Sequence, residues 1–411
     1  MTAKGIASGG NRILLPLALG WSVLVLGITE YFAGGGLAFR PFLALADPRV
    51  GPAGFGALAT HAILCEDDRR RRIVLRVGVV LEIIRFVVLA TRGVRLDVVA
   101  FSTGYGFFAA ALVDFLIHRA WRSAALTALV PIGMAAAPLG LGGLVRKLTP
   151  TTFDGALMAL DSTFRVPFSQ WMGELFSVQP ALLAMSLITY AALPGAIAAG
   201  LAYEEYNFRR GVTRGVGVNL LLAYAVSGTI AAALYILCPG TGPAHAFKAG
   251  FPSHLPDASA VSLSLAPYAP TSPRNAMPSL HFAWAVLLAR STVGARFSLR
   301  FATITFAVMT AVATIGSGEH YVVDLIAAAP FIVALEAATA RRQISLRRRI
   351  APIVLGILFY AAWILIVRYA PATVPVLDSR PVLVWLLTAA TIGVSVAVAL
   401  RRAPQTAQTR M

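Results

Sequence analysis

Residues 316–338 read GSGEHYVVDLIAAAPFIVALEAA, and this stretch decides the fold. A glycine-rich polar turn leads into an apolar run at 321–340, which is long enough to form a membrane helix. His320 and Asp324 lie four residues apart at the junction, so they stack on one face of that helix. The stretch therefore predicts a histidine–carboxylate pair at the end of a membrane helix.

Apolar runs of similar length recur along the 411 residues, of which 58% are hydrophobic and only 13% are charged. So few charges cannot cover a water-soluble surface, which excludes a soluble globular enzyme, a disordered chain and a nucleic-acid-binding module. We predict an all-α polytopic membrane protein of about eleven transmembrane helices. Besides 321–340, the runs are 13–37, 73–91, 97–118, 123–145, 180–201, 216–238, 278–293, 299–316, 350–369 and 381–400.

The formal net charge of +17 fits a membrane protein, because arginine and lysine concentrate in cytoplasmic loops. Four arginine clusters in the second half can all be placed in the cytoplasm without conflict. These are Arg209, Arg210 and Arg214; Arg290, Arg296 and Arg300; Arg341, Arg342 and Arg347–Arg349; Arg401 and Arg402. The loops 239–277, 316–320 and 370–380 then lie outside. We therefore expect an integral protein of a bacterial plasma membrane whose polar pair faces the extracytoplasmic side.

A second stretch, RNAMPSLH at residues 274–281, also precedes an apolar helix at its outer end. A carboxylate at Asp324 can accept a hydrogen bond from His320 Nδ1, which leaves a lone pair on Nε2 and makes the imidazole a nucleophile. His281 can then donate a proton to a leaving oxygen. We predict His320, His281 and Asp324 as the catalytic residues.

Phosphate is the substrate group that best matches these side chains. Ser279 and the start of the following helix suit an anion, and Arg274 offers a planar fork for phosphate oxygens. The set predicts phosphoryl transfer without a metal or other cofactor. Two alternatives remain open from the residues alone: both histidines are ordinary interfacial residues, or they ligate a metal together with Asp324.

The two stretches resemble the type 2 phosphatidic acid phosphatase superfamily, with its Pro-Ser-Gly-His and His-x-x-x-Asp motifs. They are most similar to the branch that contains fungal inositol phosphorylceramide synthase and its bacterial relatives. The resemblance implies that His320 is phosphorylated, that Asp324 orients it and that His281 is the general acid. It also implies a six-helix catalytic bundle at about 216–400. Leu280 replaces the motif glycine, and the family's Lys-x6-Arg-Pro motif is not found, so Lys248 and Arg274 are assigned to phosphate binding.

The rest of the chain is divided around this core. We predict N-terminal transmembrane helices over 1–147, an extracytoplasmic amphipathic loop over 148–179, a catalytic core over 180–402 and a cytoplasmic tail over 403–411. Asp154 and Asp161 share a helix face in the loop, as contacts for a polar headgroup or as a solvated face. The expected partners are the bilayer and a lipid phosphate or phospholipid, with no nucleic acid and an oligomeric state left open. The predicted function is a membrane lipid phosphatase or phospho-headgroup transferase. A lipid transporter without chemistry and a scaffold with a decayed site are the alternatives.

Overall fold

The computed structural model describes residues 15–18, 20–24, 52–94, 103–135, 142–210, 218–269, 271–340 and 345–401, and these residues are nearly all helical. Five of the described helices are long and apolar enough to cross a membrane. They are Pro180–Arg209, Leu220–Leu237, Phe297–Gly316, Leu346–Arg368 and Pro381–Leu400. The chain is therefore an integral membrane protein, as the composition predicted.

The predicted count of about eleven transmembrane helices and the six-helix bundle are not confirmed. Two of the predicted spans form shorter helices: Leu280–Ser291 has 12 residues, too few to cross a bilayer alone, and Val322–Ala338 has 17, at the lower end of the range that can. Runs 13–37, 97–118 and 123–145 lie partly outside the described residues. Run 73–91 lies in the 24-residue helix Asp68–Thr91, which begins with four arginines in its first turn and a half.

The chain separates into two compact units, and two helices contribute residues to both. Unit 1 comprises 1–141, 191–213 and 220–225, and unit 2 comprises 142–190, 214–219 and 226–411. The shared helices are α8, Pro180–Arg209, and α9, Leu220–Leu237. Residues 191–213, which the sequence placed in the catalytic core, are thus grouped with unit 1.

Among the described residues of unit 1, α3 packs on three other helices. These four helices are α1, Pro52–Leu64; α2, Asp68–Thr91; α3, Tyr105–Ile117; and α4, Trp121–Ala135. Glu82 of α2 is buried and pairs with Arg85 at 2.8 Å. Its other oxygen accepts from Gly104 N and Gly106 N at 2.8 and 2.6 Å, so it caps the start of α3.

Unit 2 contains the remaining helices. They are α5, Gly142–Leu148; α6, Asp154–Ser162; α7, Phe168–Val178; α10, Pro243–Phe247; α11, Leu280–Ser291; α12, Phe297–Gly316; α13, Val322–Ala338; α14, Leu346–Arg368; α15, Ala370–Ser379; and α16, Pro381–Arg401. An isolated bridge between Thr152 and Ala266 joins the two long predicted outer loops.

Helix α13 is the centre of unit 2, because α6, α11, α14 and α16 all pack against it. Its sequence is apolar on every side and most of its residues are buried, as expected of a helix surrounded by others. Gly356 lets α14 approach closely, since a Cβ there would lie 2.5 Å from Pro330 O. At the other end, the buried Glu336 pairs with Arg290 Nε at 2.9 Å, and Arg290 Nη2 also donates to Ala399 O.

Candidate active site

His320 lies in the tight turn between α12 and α13. Thr314 O at the end of α12 accepts from both Glu319 N at 3.1 Å and His320 N at 3.2 Å. Gly318 has φ +72°, a conformation that glycine adopts without strain. The turn therefore needs its glycine, and it fixes the backbone on which His320 is placed.

The His320 ring is held in one tautomer by a main-chain group. The side chain is 1% exposed, and Nδ1 lies 2.9 Å from Ala276 O. A carbonyl oxygen can only accept a hydrogen bond, so Nδ1 carries the proton and neutral His320 has its lone pair on Nε2. Nε2 is buried and has no hydrogen-bond partner among the described residues. This nitrogen is the only ring atom of His320 left free for chemistry.

Asp324 supports the ring from the next turn, but it is not the principal acceptor that the i, i+4 spacing predicted. Its Oδ2 lies 3.4 Å from His320 Nδ1 and accepts from Tyr321 N at 2.8 Å. The carboxylate thus caps the start of α13 while lying next to the imidazole.

His281 faces His320 from the start of α11. The two ring centroids are 6.3 Å apart with the planes at 60°. His281 Nδ1 lies 3.1 Å from the hydroxyl oxygen of Tyr190, and the two rings stack at 4.2 Å. Because Nδ1 is occupied by Tyr190, Nε2 is the nitrogen of His281 that is available for proton transfer. Tyr190 lies on α8, outside both sequence motifs, and the sequence analysis did not select it.

The segment that carries His281 is anchored mainly through its backbone. Ser279 caps α11, because its Oγ accepts from Phe282 N at 3.4 Å, and its own N donates to Asp324 O at 3.3 Å. Three further hydrogen bonds hold the preceding residues: Ala276 N to Gly240 O, Tyr360 Oη to Met277 O and Tyr235 Oη to Pro278 O. The bond from Ser279 N to Asp324 O joins the two predicted motifs directly, and the other three hold the segment in place beside α13.

Asp154 is buried, so it does not lie on a solvated helix face and its side chain is not accessible to a lipid headgroup. Its carboxylate accepts from Thr241 N at 2.9 Å, Thr241 Oγ1 at 3.0 Å, Gly242 N at 3.1 Å and Tyr321 Oη at 2.9 Å. Burial raises the pKa of Asp154 above its ordinary value, although these donors oppose the shift. Asp154 therefore ties the 239–243 turn to the residue that follows His320.

Asp161 caps the start of α13. Its two oxygens accept hydrogen bonds from Val322 N at 2.8 Å and Val323 N at 3.1 Å. These N–H groups belong to the first turn of α13 and have no acceptor within the helix. Burial raises the pKa of Asp161 to about 7, and the nearby Asp324 charge adds to the shift. The two aspartates that the sequence paired on one helix face thus both fix the start of α13.

Arg274 serves main-chain oxygens in this structure. The guanidinium is 1% exposed and donates to four carbonyls, those of Thr149, Pro150, Ala269 and Ser272. Four of its five N–H groups are therefore committed to joining two loops. This geometry gives no support to the predicted phosphate contact. Lys248, the other predicted basic residue, is exposed at the start of a short 3-10 turn.

A second histidine–carboxylate pair lies beside the site. His245 Nε2 is 3.2 Å from Glu319 Oε2, and each side chain is about one-third exposed. The hydrogen bond to Glu319 raises the pKa of His245. Burial alone would raise the pKa of Glu319, but the bond from His245 and the three nearby histidines lower it below its ordinary value. The pair is therefore an ion pair at the edge of the site.

Metal-ligand types meet at one place in the part of the chain that the structure describes, and that place is in unit 1. His61, Cys65 and Asp114 bring ligand atoms within 4.8 Å of one another. Asp114 Oδ2 accepts from His61 Nε2 at 2.8 Å and from Arg70 Nη2 at 2.6 Å. The guanidinium thus neutralises the carboxylate, and the group forms a hydrogen-bonded network between α1, α2 and α3.

The fold and the site together define an integral membrane protein in which the buried His320, at the start of the central helix α13, faces His281 at the start of α11. Residues 155–338 match the family model of the PAP2 superfamily, whose members are phosphoryl-transfer enzymes. The match spans His281, His320 and Asp324 and ends with the last residue of α13. It supports the superfamily that the motifs predicted and does not confirm the inositol phosphorylceramide synthase branch. Comparisons with curated proteins and with solved structures give no match.

Proposed function

We propose that this protein transfers phosphoryl or phospho-headgroup units of membrane lipids by double displacement through a phosphohistidine at His320. The observation that carries the proposal is the state of His320 Nε2. It is a buried lone pair without a partner, on a ring whose other nitrogen is fixed by Ala276 O, and it faces a second histidine. The PAP2 superfamily match over this region supports the same reaction class.

In the first half-reaction, His320 Nε2 attacks the phosphorus atom of the lipid. The N–P bond forms as the P–O bond to the leaving alcohol breaks, and His281 Nε2 gives its proton to the leaving oxygen. Asp324, 3.4 Å from His320 Nδ1, stabilises the positive charge that develops on the ring. The histidine is thereby phosphorylated and His281 becomes neutral.

In the second half-reaction, water or a lipid hydroxyl attacks the phosphorus atom. His281 Nε2 takes the proton of the attacking hydroxyl, the N–P bond breaks and His320 returns to its starting tautomer. A water acceptor makes the protein a lipid phosphatase, and a lipid alcohol makes it a headgroup transferase. The resemblance to the inositolphosphotransferase-like branch favours the transferase.

The phosphate oxygens need positive partners, and we assign these roles without Arg274. His281 supplies a positive charge only while it carries the proton that it transfers, Ser279 lies at the start of α11, and the exposed Lys248 can reach a headgroup in solvent. The arginine clusters favour an extracytoplasmic site, and we propose that the site lies at that face of a bacterial plasma membrane. A lipid can then present its headgroup without leaving the bilayer.

The test uses the full chain purified in detergent and a panel of lipid phosphates, phospholipids and polyprenyl phosphates. We expect phosphate release, or transfer of the headgroup to added diacylglycerol or ceramide, and an acid-labile phosphohistidine when a 32P-labelled donor is quenched in base. His320→Ala removes all three. His254→Ala, which alters an exposed histidine of the outer loop, is the matched control and keeps them.

The outcomes separate the hypotheses. Turnover that persists in His320→Ala contradicts the phosphohistidine mechanism. If no lipid is turned over, yet labelled lipid crosses the bilayer of proteoliposomes, the transporter alternative replaces the enzyme.

A further inference from the structure

We propose that Tyr190 is a positioning residue for His281: it fixes the ring nitrogen that exchanges protons and stabilises the cationic form of the ring. The inference deepens the proposed function and rests on it. No motif in the sequence marks Tyr190, which lies 91 residues before His281 within an apolar run.

Two independent contacts join these side chains. The Tyr190 hydroxyl oxygen lies 3.1 Å from His281 Nδ1, and the ring centroids lie 4.2 Å apart with only 24° between the planes. The hydrogen bond fixes the rotation of the imidazole about its axis, and the stack fixes its plane. Both degrees of freedom that aim Nε2 at His320 are therefore set by one residue.

The chemistry of the pair matches the role assigned to His281. When the ring is cationic, Nδ1–H donates to the phenol oxygen and Nε2–H is the proton available to the leaving group. After that proton leaves, Nδ1–H still donates to Tyr190, and Nε2 holds the lone pair that accepts a proton from the second alcohol. The phenol thus plays the part for His281 that Ala276 O plays for His320.

The stacked face also favours the cation. An aromatic face attracts a positive group held against it, and the effect grows when the pair is shielded from water. Burial of the ring opposes the cation, so a contact that favours it matters more. The other groups that face the ring are His320, whose charge also opposes a cation, Glu319, whose charge favours it, and the neutral Trp284 at 6.1 Å. Tyr190 is the one of these four that both contacts the ring and leaves the net charge of the site unchanged.

The experiment separates the two contacts with two variants. Tyr190→Phe keeps the stack and loses the hydrogen bond, and Tyr190→Leu loses both. We expect kcat for phosphoryl transfer to fall about tenfold in Tyr190→Phe, the equivalent of one lost hydrogen bond, and further in Tyr190→Leu. The pH limb that reports protonation of His281 moves to lower pH in the same order. Tyr369→Phe, which removes an exposed hydroxyl just after the end of α14, is the control and leaves that limb at the wild-type pH.

A second readout does not depend on activity. Protein labelled with 15N-histidine in nanodiscs reports the protonation and tautomer of His281 by NMR, and the Nδ1–H form should be lost or mixed in Tyr190→Phe. Wild-type tautomer and titration in the conservative variant, together with an unmoved pH limb, overturn the inference. If wild-type protein transfers phosphate from no lipid, the proposed function fails, while the NMR result still decides the role of Tyr190.

Discussion

The hydrogen bond from Tyr321 Oη to Asp154 Oδ1 gives the sharpest stability prediction, because both side chains are fully buried and the bond is 2.9 Å long. Tyr321→Phe removes one O–H donor and little volume. A hydrogen bond to a charged group contributes about 1.5–3 kcal/mol, so we expect a loss of stability of that size. In a chain of this length, it corresponds to a fall of a few degrees in melting temperature.

The pH dependence follows from the raised pKa of Asp154. The folded protein holds the proton of this carboxyl at pH values where the unfolded chain has lost it, so the contribution to stability falls as pH rises through the folded pKa. Removing a donor raises that pKa further, because the donor favours the charged form. The loss caused by Tyr321→Phe is therefore larger at pH 8 than at pH 5.

The assay is thermal unfolding in detergent at both pH values for wild type, Tyr321→Phe, Asp154→Asn and the double variant. The two residues should show a coupling free energy of about 1.5–3 kcal/mol in this cycle. Thr241→Val, which removes another donor to the same carboxylate, serves as a comparison. Additive effects of the two substitutions, or a loss that is larger at pH 5, would refute the reasoning.

Three further predictions concern the turn and the loops around the site. Because the pKa of Asp161 is raised to about 7, its contribution to stability is full below about pH 4 and lost as pH rises to about 7. The free energy of unfolding of wild type relative to Asp161→Asn should thus fall over that interval, by at most about 1.4 kcal/mol per pH unit. A difference that rises with pH contradicts this prediction. Gly318→Ala should lower the melting temperature more than Gly93→Ala. Both glycines have a positive φ, but of the two only Gly318 would bring an added Cβ against a neighbour, 2.7 Å from Ala244 Cβ. Equal melting temperatures would show that this contact is relieved. Arg274→Lys should lower the melting temperature more than Arg146→Lys, because a lysine cannot donate hydrogen bonds to all four carbonyls. It should leave the KM for a lipid phosphate unchanged. A raised KM at unchanged stability would restore the phosphate-binding role.

The sequence identified the candidate catalytic residues better than their surroundings. His281, His320 and Asp324 were recognisable because each lies in a short motif at the end of an apolar run. The structure brings them together without testing their roles. Asp154 and Asp161 were also selected, as part of an amphipathic helix, but their purpose was not visible, since their partners are mostly backbone N–H groups far along the chain. Main-chain groups carry no signature in the sequence.

The same limit explains Arg274 and the helix count. The acceptors of Arg274 are four carbonyl oxygens, two of which lie more than 120 residues away, so an arginine beside a phosphate-type motif was assigned to phosphate. Hydropathy located apolar runs correctly but not their structural role. Helix α13 is apolar because other helices surround it, and its 17 residues carry Asp324 and Glu336. Tyr190 could not be selected from the sequence, because a tyrosine within an apolar run is common. Its hydrogen bond to His281 and its stack on that ring distinguish it only in the structure.

The hydrogen bond from His320 Nδ1 to the carbonyl of Ala276 affects how the site responds to pH and to mutation. An amide oxygen has no proton to gain or lose in the range where proteins work, so the tautomer of His320 does not shift with acidity, as it would if a carboxylate alone held Nδ1. The acceptor also belongs to the backbone, and it persists whichever side chain stands at that position. A substitution in the 276–279 segment can weaken this hydrogen bond only by displacing the backbone that carries the carbonyl. The tautomer of His320, on which its proposed role as nucleophile depends, is thus set by the path of the 276–279 backbone more than by the identity of any one side chain.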